Sequence, residues 1–311
     1  MKSLLFALYL LPIIMLGQNE NDQKIYLDSL WNETSEANHK YYRVIESYDA
    51  NADLYHIKDH YKSGILQMEG YSKTKDGGAK EGEFVFYYEN GNVKNKSFYR
   101  KSRLSGTYEE WYENGVKKSE GEHFESKKGF NSNYKINQYW NPDGQQTVTD
   151  GEGFFELKTD KFSDKGTIKN GLKEGEWIGT YGSKRSYIEK YKEGEIVSGT
   201  STDAEGKQYS YTELEKMPEP IRGINDFYKH IGKNFRIPKE YKNVNGKIYT
   251  NFIVDKNGEI VEPKIIKSLN ETLDQEAIRV ITSYEKWIPA KQRGQYVRVL
   301  YSLPITLSGR N

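Results

Sequence analysis

The stretch YYENGNVK at 87–94 returns almost letter for letter as WYENGVKK at 111–118, 24 positions later. In each copy aromatic residues run up to Asn-Gly and a short alternating segment follows. Asn-Gly can supply the two positive-φ positions of a type I′ turn, whose twist matches that of the flanking strands. The pair therefore predicts two hairpins, with arms at 84–88 and 93–99, then at 108–112 and 116–124. The interval recurs in shorter words. Gly82 to Gly106, Gly175 to Gly199 and Gly182 to Gly206 are each 24 residues. EGE stands at 81–83 and 174–176, and SGT at 105–107 and 198–200. Ser63-Gly64, Asp143-Gly144 and Gly182-Ser183 read as further tips, and 126–135 as an insertion that stretches one interval. A period near 24 is too short for a helical pair and suits two strands with two turns. No single hairpin buries enough to stand alone, but hairpins in series cover one another and let aromatic residues pair across strands.

Composition agrees with thin, turn-rich β structure. The chain has 311 residues, room for about two domains, with 35% hydrophobic residues, 26 Tyr and 28 Gly. So many aromatic residues disfavour disorder. Lys plus Arg number 46 against 45 Asp plus Glu, a net charge of +1, which offers no global field for nucleic acid or an anionic membrane. With no cysteine there are no disulfides, no thiolate metal sites and no Cys nucleophile.

The first residues, MKSLLFALYLLPIIMLGQN, carry Lys2, an apolar run over 4–16 broken by Pro12, and Gly17 before Gln18. The run falls short of the ~20 apolar residues that cross a bilayer. It reads as a secretory signal cut near Gly17. Met15 departs from the small-residue cleavage pattern, which leaves an uncleaved anchor and a buried N-terminal helix as alternatives. No cysteine follows for lipid attachment.

Gly82, Phe84, Tyr87, Tyr88, Asn90 and Gly91, then Gly106, Tyr108, Trp111, Tyr112, Asn114 and Gly115, resemble the bacterial MORN-like repeat family. Gly175, Glu176 and Trp177 fit its opening, although the tip at Gly182 comes two residues early. The resemblance spans about 54–210 and implies an extended antiparallel sheet with little chemistry. Ahead of it, IYLDSLW and KYYRVIESY read as strands that begin the same sheet, with NETSEANHK between them as a strand connection or a short helix.

Beyond 217 the pattern changes. Ile224, Phe227, Tyr228, Ile231 and Phe235 form the stripe of an amphipathic helix that ends at Ile237-Pro238. Ile248, Thr250, Phe252 and Val254 share one face of a strand, Asn257-Gly258 turns the chain, and 260–268 returns antiparallel with Pro263 marking an edge or bulge. Thr272 with Gln275 reads as a capping box before a helix striped by Leu273, Ala277, Ile281 and Tyr284. Val297, Val299, Tyr301, Leu303 and Ile305 alternate in a last strand. The order α, β, β, α, β describes an α+β module.

That order, with Gly246, Phe252, Val254, Gly258, Ile260, Ser268, Leu273-Asp274, Ala277, Trp287, Pro289-Ala290 and Leu303-Pro304-Ile305, resembles the TonB C-terminal domain over about 217–308. Ile237-Pro238 stands where the family often has Tyr-Pro. The resemblance implies a periplasmic domain that takes up a short extended segment of an outer-membrane TonB-dependent transporter, or of another envelope protein, as an added strand. In the family the receiving edge follows the second helix. Here it comprises Gln295, Tyr296, Val297, Arg298, Val299, Leu300 and Tyr301. Family energy transducers also carry a spanning helix with a polar residue and a long Pro-rich spacer. This chain has no ionisable residue over 4–16 and only 8 Pro, so no rigid polyproline arm.

Sharper chemical readings fail on spacing. His56 and His60 lie in LYHIKDHY, which reads as strand, so their rings stand about 13 Å apart at ~3.3 Å per residue, too far for one ion. There is no G-x-S-x-G, H-E-x-x-H or phosphate loop. The carboxylate pairs Glu174/Glu176 and Asp203/Glu205 read as solvated turn flanks, and DKNGE at 255–259 lacks the rest of a calcium loop. Exposed tyrosine rows could bind a glycan or a partner sheet, or only stiffen a single-layer sheet.

The sequence therefore predicts a mainly β chain with an α+β end: signal peptide 1–17, β-rich segment 18–53, an extended antiparallel hairpin array over 54–210, and a two-helix, three-stranded module over 217–311. The expected role is non-enzymatic, without cofactor or metal, in the periplasm. The alternatives are a membrane-anchored transducer drawing on the proton motive force, and a scaffold whose terminal module only forms a homodimer.

Overall fold

The computed structural model of the protein describes residues 21–125, 132–182 and 184–309. The leader at 1–17 and most of the insertion at 126–135 lie outside the described residues. Sixteen strands, from Gln23–Leu27 to Gln208–Tyr211, hydrogen-bond in unbroken chain order as one antiparallel sheet. Contacts divide the chain into two compact units. One runs to Gly153 and includes Asn170–Leu172; the other comprises Phe154–Lys169 and Lys173–Asn311.

In the first unit the two predicted hairpins are present as Lys80–Tyr87 with Val93–Arg100 and Arg103–Trp111 with Lys117–Glu125. Their tips are not type I′ turns. Gly91 and Gly115 take positive φ (90° and 85°) while neither Asn90 nor Asn114 does. The Gly91 N–H donates to the Tyr88 carbonyl (2.9 Å) and the Tyr88 N–H to the Asn92 carbonyl (2.8 Å). This is the three-residue loop, a type I turn closed by a left-handed glycine. The same bond pair closes the loops beginning at Tyr61, Tyr112, Asn141, Asp203 and Asp255.

The tip asparagines have a separate task. Asn90 Nδ2 donates to the Glu113 carbonyl at the next tip (2.9 Å), and Asn114 Nδ2 to the Pro142 carbonyl (3.2 Å). Tyrosine does the same one residue pair back. The hydroxyls of Tyr61, Tyr88 and Tyr112 donate to the carbonyls of Tyr87, Trp111 and Trp140, each at 2.9 Å. Tyr and Asn of the repeat word thus stitch each tip to its successor.

At the opposite end the array does use two-residue turns with positive φ at both positions: Lys101-Ser102, Asp150-Gly151, Asn170-Gly171 and Glu193-Gly194. The glutamates of three Glu-Gly words serve three of these turns. Glu81, Glu152 and Glu174 accept the N–H of Lys101, Asn170 and Glu193 at 3.0, 2.8 and 2.8 Å. Glu174 therefore caps a turn, and Asp203 accepts the N–H groups of Glu205 and Lys207 at its own tip (3.1 and 2.8 Å).

Cross-strand aromatic pairs occur near the start, where Tyr42 stacks on His60 (4.7 Å) and Tyr41 faces Tyr61 (5.9 Å). Ring pairs continue farther along, as in Phe84 with Tyr99 (5.2 Å) and Phe155 with Trp177 (5.6 Å), and there rings also lie over glycines. Phe84, Tyr108, Tyr187 and Tyr211 stand opposite Gly70, Gly121, Gly179 and Gly199 in register. A Cβ on these glycines would come within 3 Å of the ring. Omitting the Cβ lets the ring lie flat against the sheet and bury its face. Ile57, Met68 and Phe84 form one small core cluster of this unit, and Arg43 makes a buried bidentate pair with Asp59 (2.7 Å each).

The second unit contains the last array strands and the C-terminal module. The module has helix α1 (Ile224–Asn234), strands β1 (Gly246–Val254) and β2 (Ile260–Lys267), helix α2 (Glu271–Thr282) and strand β3 (Val299–Leu307). Phe227, Ile231, Phe252, Leu273, Ala277, Ile281 and Trp287 meet in its core, so the predicted stripes are the buried faces. Tyr228 is the exception, about half exposed. The predicted capping box at Thr272 is not formed. Asn270 is the cap, its side chain accepting the Leu273 N–H at 2.9 Å, because an asparagine already stands one residue before the first helical position. The turn at 255–258 is the expected hairpin, with Asp255 accepting the N–H groups of Asn257 and Glu259 (2.8 and 2.9 Å). These bonds hold its carboxyl below the usual range.

Candidate strand-binding edge

The module's sheet runs in the order β2-β1-β3, so it has two edges of different quality. On the β2 side, register slips twice against β1, at Tyr249/Thr250 and at Asn251/Ile253. Glu262 takes positive φ (53°) beside Pro263. A bulge, a proline and the charges of Lys264 and Lys267 are devices that blunt an edge. The β3 side is regular. Nine consecutive pairs, from Gly246–Leu307 to Val254–Val299, run without a slip, and β3 is the outermost strand on its side.

Antiparallel pairing makes alternate residues of β3 present their main-chain groups outward. Pro304 has no N–H and is tolerated where that group would face away from β1. Leu300, Ser302, Pro304 and Thr306 therefore face the open edge, with donors at three of the four. Their side chains are exposed, Leu300 by 62%. Tyr301, Leu303 and Ile305 turn inward, Tyr301 stacking on Phe252 (5.3 Å) and edge-on to Trp287 (5.1 Å). Beside the far end of β3 lies a groove of about 370 Å³ lined by Tyr228, Ile231, Phe235, Ile237, Leu303 and Ile305. It is large enough for one apolar side chain of an added strand.

The seven residues expected to form the receiving edge do not form one strand. Val299, Leu300 and Tyr301 begin β3. Gln295–Tyr296 instead pairs with Lys291–Gln292, which pairs in turn with Glu215–Lys216. Val297 and Arg298 connect the two segments; the Val297 N–H donates to the Ala290 carbonyl (3.1 Å), and Arg298 forms an ion pair with Glu262. The break comes from Arg293-Gly294, both at positive φ (46° and 78°), which folds 291–296 into a tight hairpin. The continuous outer strand thus runs from Val299 to Leu307. The Arg-Gly turn between the alternating stretches KQ and QY was the sequence signal for it.

The other candidates stand apart from this edge. His56 bonds Glu46 (2.6 Å) and stacks on Tyr71, while His60 stacks on Tyr42. Among the described residues no cluster of His, Asp or Glu could hold a metal ion, and no described helix is long and apolar enough to cross a membrane. No curated protein matches the chain. Residues 239–307, from the end of α1's connection through β3, match the family model of the Gram-negative bacterial TonB protein C-terminal.

Proposed function

We propose that this is an exported, non-enzymatic cell-envelope protein whose C-terminal module binds an extended segment of an outer-membrane transporter, or of another envelope protein, by adding it to the open edge of β3. The observation that carries this reading is the contrast between edges: β3 offers an unbulged, nine-residue ladder, whereas β2 is bulged and proline-bearing. The family match over 239–307 supports the same reading. Each main-chain bond to the added strand contributes about 0.5–1.5 kcal/mol, so a run of four or five with one seated side chain gives a reversible hold. Pro304 leaves one gap in the donor row, which requires the partner to tolerate an unpaired carbonyl there. The hairpin array, MORN-like in its repeat word, acts as the scaffold that displays the module in the periplasm. Photo-crosslinking from position 300 in intact cells tests the proposal. Capture of an envelope protein supports it, and labelling of none rejects it. The intact mass of the mature chain separates this reading from an anchored, proton-driven transducer: loss of residues before Gln18 would remove the anchor.

A further inference from the structure

Arg293 is the tip of the 291–296 hairpin, and its side chain leaves the C-terminal module. Its Nε lies 2.7 Å from Oε1 of Glu189, on the array strand Arg185–Lys192, whose side chain is fully buried. The Tyr211 hydroxyl donates to the same oxygen (2.7 Å) and the Tyr191 hydroxyl to Oε2 (2.9 Å). The guanidinium rests 4.0 Å above the Tyr187 ring. The main chain of the tip is held as well. The Arg293 carbonyl accepts from Ser201 Oγ (2.7 Å), its N–H donates to the Leu214 carbonyl (2.7 Å), and Gln295 Nε2 donates to Ser201 Oγ (2.9 Å) and the Tyr181 hydroxyl (3.2 Å).

A buried carboxylate left without its cation is strongly destabilising. Glu189 sits among tyrosines, and the cation bonded to it comes from 104 positions farther along the chain. Burial works against the guanidinium's charge, but the hydrogen bond it donates to Glu189, the charge of that carboxylate and the neighbouring Tyr187 and Tyr211 together outweigh it, so the Arg293 pKa is raised. The four polar partners and the ring leave the tip little freedom. Only Val297 and Arg298 separate this fixed hairpin from β3, so whatever holds the tip also sets where the receiving strand begins.

We propose that Arg293 is a positioning residue for strand addition: bound to Glu189, it fixes the 291–296 hairpin to the last array strands. A partner segment on β3 is then held by the last array strands and the module together. The inference rests on the strand-addition reading for its binding half, while the fixing of the hairpin can be tested without any partner.

The test uses the full chain with Arg293→Ala, Arg293→Lys and Glu189→Gln, followed by amide exchange over 291–298 and by crosslinking yield from position 300 in intact cells. Arg293→Ala should speed exchange at Val297 by about tenfold or more, as expected when a hairpin opens locally, and lower the crosslinking yield severalfold. Arg293→Lys should fall between, since an ammonium keeps the charge but cannot reproduce the planar stacking on Tyr187. Glu189→Gln keeps the shape of the site and should reproduce the exchange effect even if Arg293→Ala fails to fold. Exchange within twofold of the unaltered chain in Arg293→Ala or, should that chain not fold, in Glu189→Gln would overturn the fixing role. Faster exchange with an unchanged crosslinking yield would overturn the positioning role. No crosslink from the unaltered chain would reject strand addition itself, and positioning with it.

Discussion

Gly166 and Gly175 lie on neighbouring strands of the second unit, and replacing each by alanine separates two reasons for a glycine. A Cβ at Gly166 would lie 2.5 Å from Cγ and Cδ2 of the Trp177 ring, whereas a Cβ at Gly175 meets nothing within 4 Å but must adopt φ of +68°. Trp177 is fully buried, donates its Nε1–H to the Thr167 carbonyl (3.1 Å) and carries Lys173 Nζ 3.9 Å from its ring. Gly166→Ala must push the ring outward. Overpacking of that kind costs about 1–3 kcal/mol, and the strained or broken indole hydrogen bond adds about 0.5–1.5 kcal/mol. The total is about 2–4 kcal/mol against about 1 kcal/mol for the left-handed strain of Gly175→Ala. Urea unfolding of the full chain, followed by far-ultraviolet circular dichroism and tryptophan emission, measures both. Gly166→Ala should lower the midpoint more and shift tryptophan emission to the red, and adding Trp177→Leu should recover part of the loss. Equal midpoints for the two alanine variants would refute the claim that the glycine exists to receive the ring.

Three further outcomes follow from other parts of the chain. Asn90→Ala should destabilise the first unit by about 1 kcal/mol, because it removes the bond to Glu113 as well as the local one to the Asn92 N–H; an unchanged unfolding midpoint would mean the tip-to-tip stitching contributes nothing. Burial holds the imidazoles of His60 and His123 below their ordinary value. A lowered folded pKa gives stability that is present above the unfolded value near ~6.5 and is lost as pH falls through the folded one. The unfolding midpoint should therefore drop on acidification below about pH 6.5, and His60→Gln with His123→Gln should flatten that slope; an identical slope in the variant would contradict it. Ser302→Pro should leave the module folded, because Ser302 faces the open edge, and should abolish crosslinking from position 300. Tyr301→Pro, which removes a bond to β1, should unfold the module by about 3 kcal/mol or more; the reverse ranking in thermal melts would mean the outward alternation is wrong.

The hairpins were legible because aromatic alternation and Asn-Gly are local signals. The turn type was not, since Asn-Gly suits both loops and only the spacing from Tyr88 to Asn92 distinguishes them. Of the two-residue turns at the other end, Asp150-Gly151 and Asn170-Gly171 do carry the type I′ signature and were legible in the sequence, whereas Lys101-Ser102 and Glu193-Gly194 carry none and are forced by strand register. The glycine beneath each ring was equally hidden, because Gly70 meets Phe84 only once the register is known. In the module, the stripes of α1 and α2 and the bulge at Pro263 followed from period and chemistry. The span 295–301, read as one strand, is divided between Gln295–Tyr296 and Val299–Leu307. The tight turn at Arg293-Gly294 that causes the division is a local signal, whereas the bond of Arg293 to Glu189, 104 residues away, lies beyond the reach of any local pattern.

The central claim is that a partner segment joins the sheet at β3. Amide exchange along β3, measured on the full chain before and after adding a synthetic peptide of the segment captured from position 300, tests it most directly. Strand addition predicts slowed exchange at Leu300, Ser302 and Thr306, with Tyr301, Leu303 and Ile305 unchanged because β1 already holds them. Protection confined to β2, or to α1 with no change along β3, would contradict it.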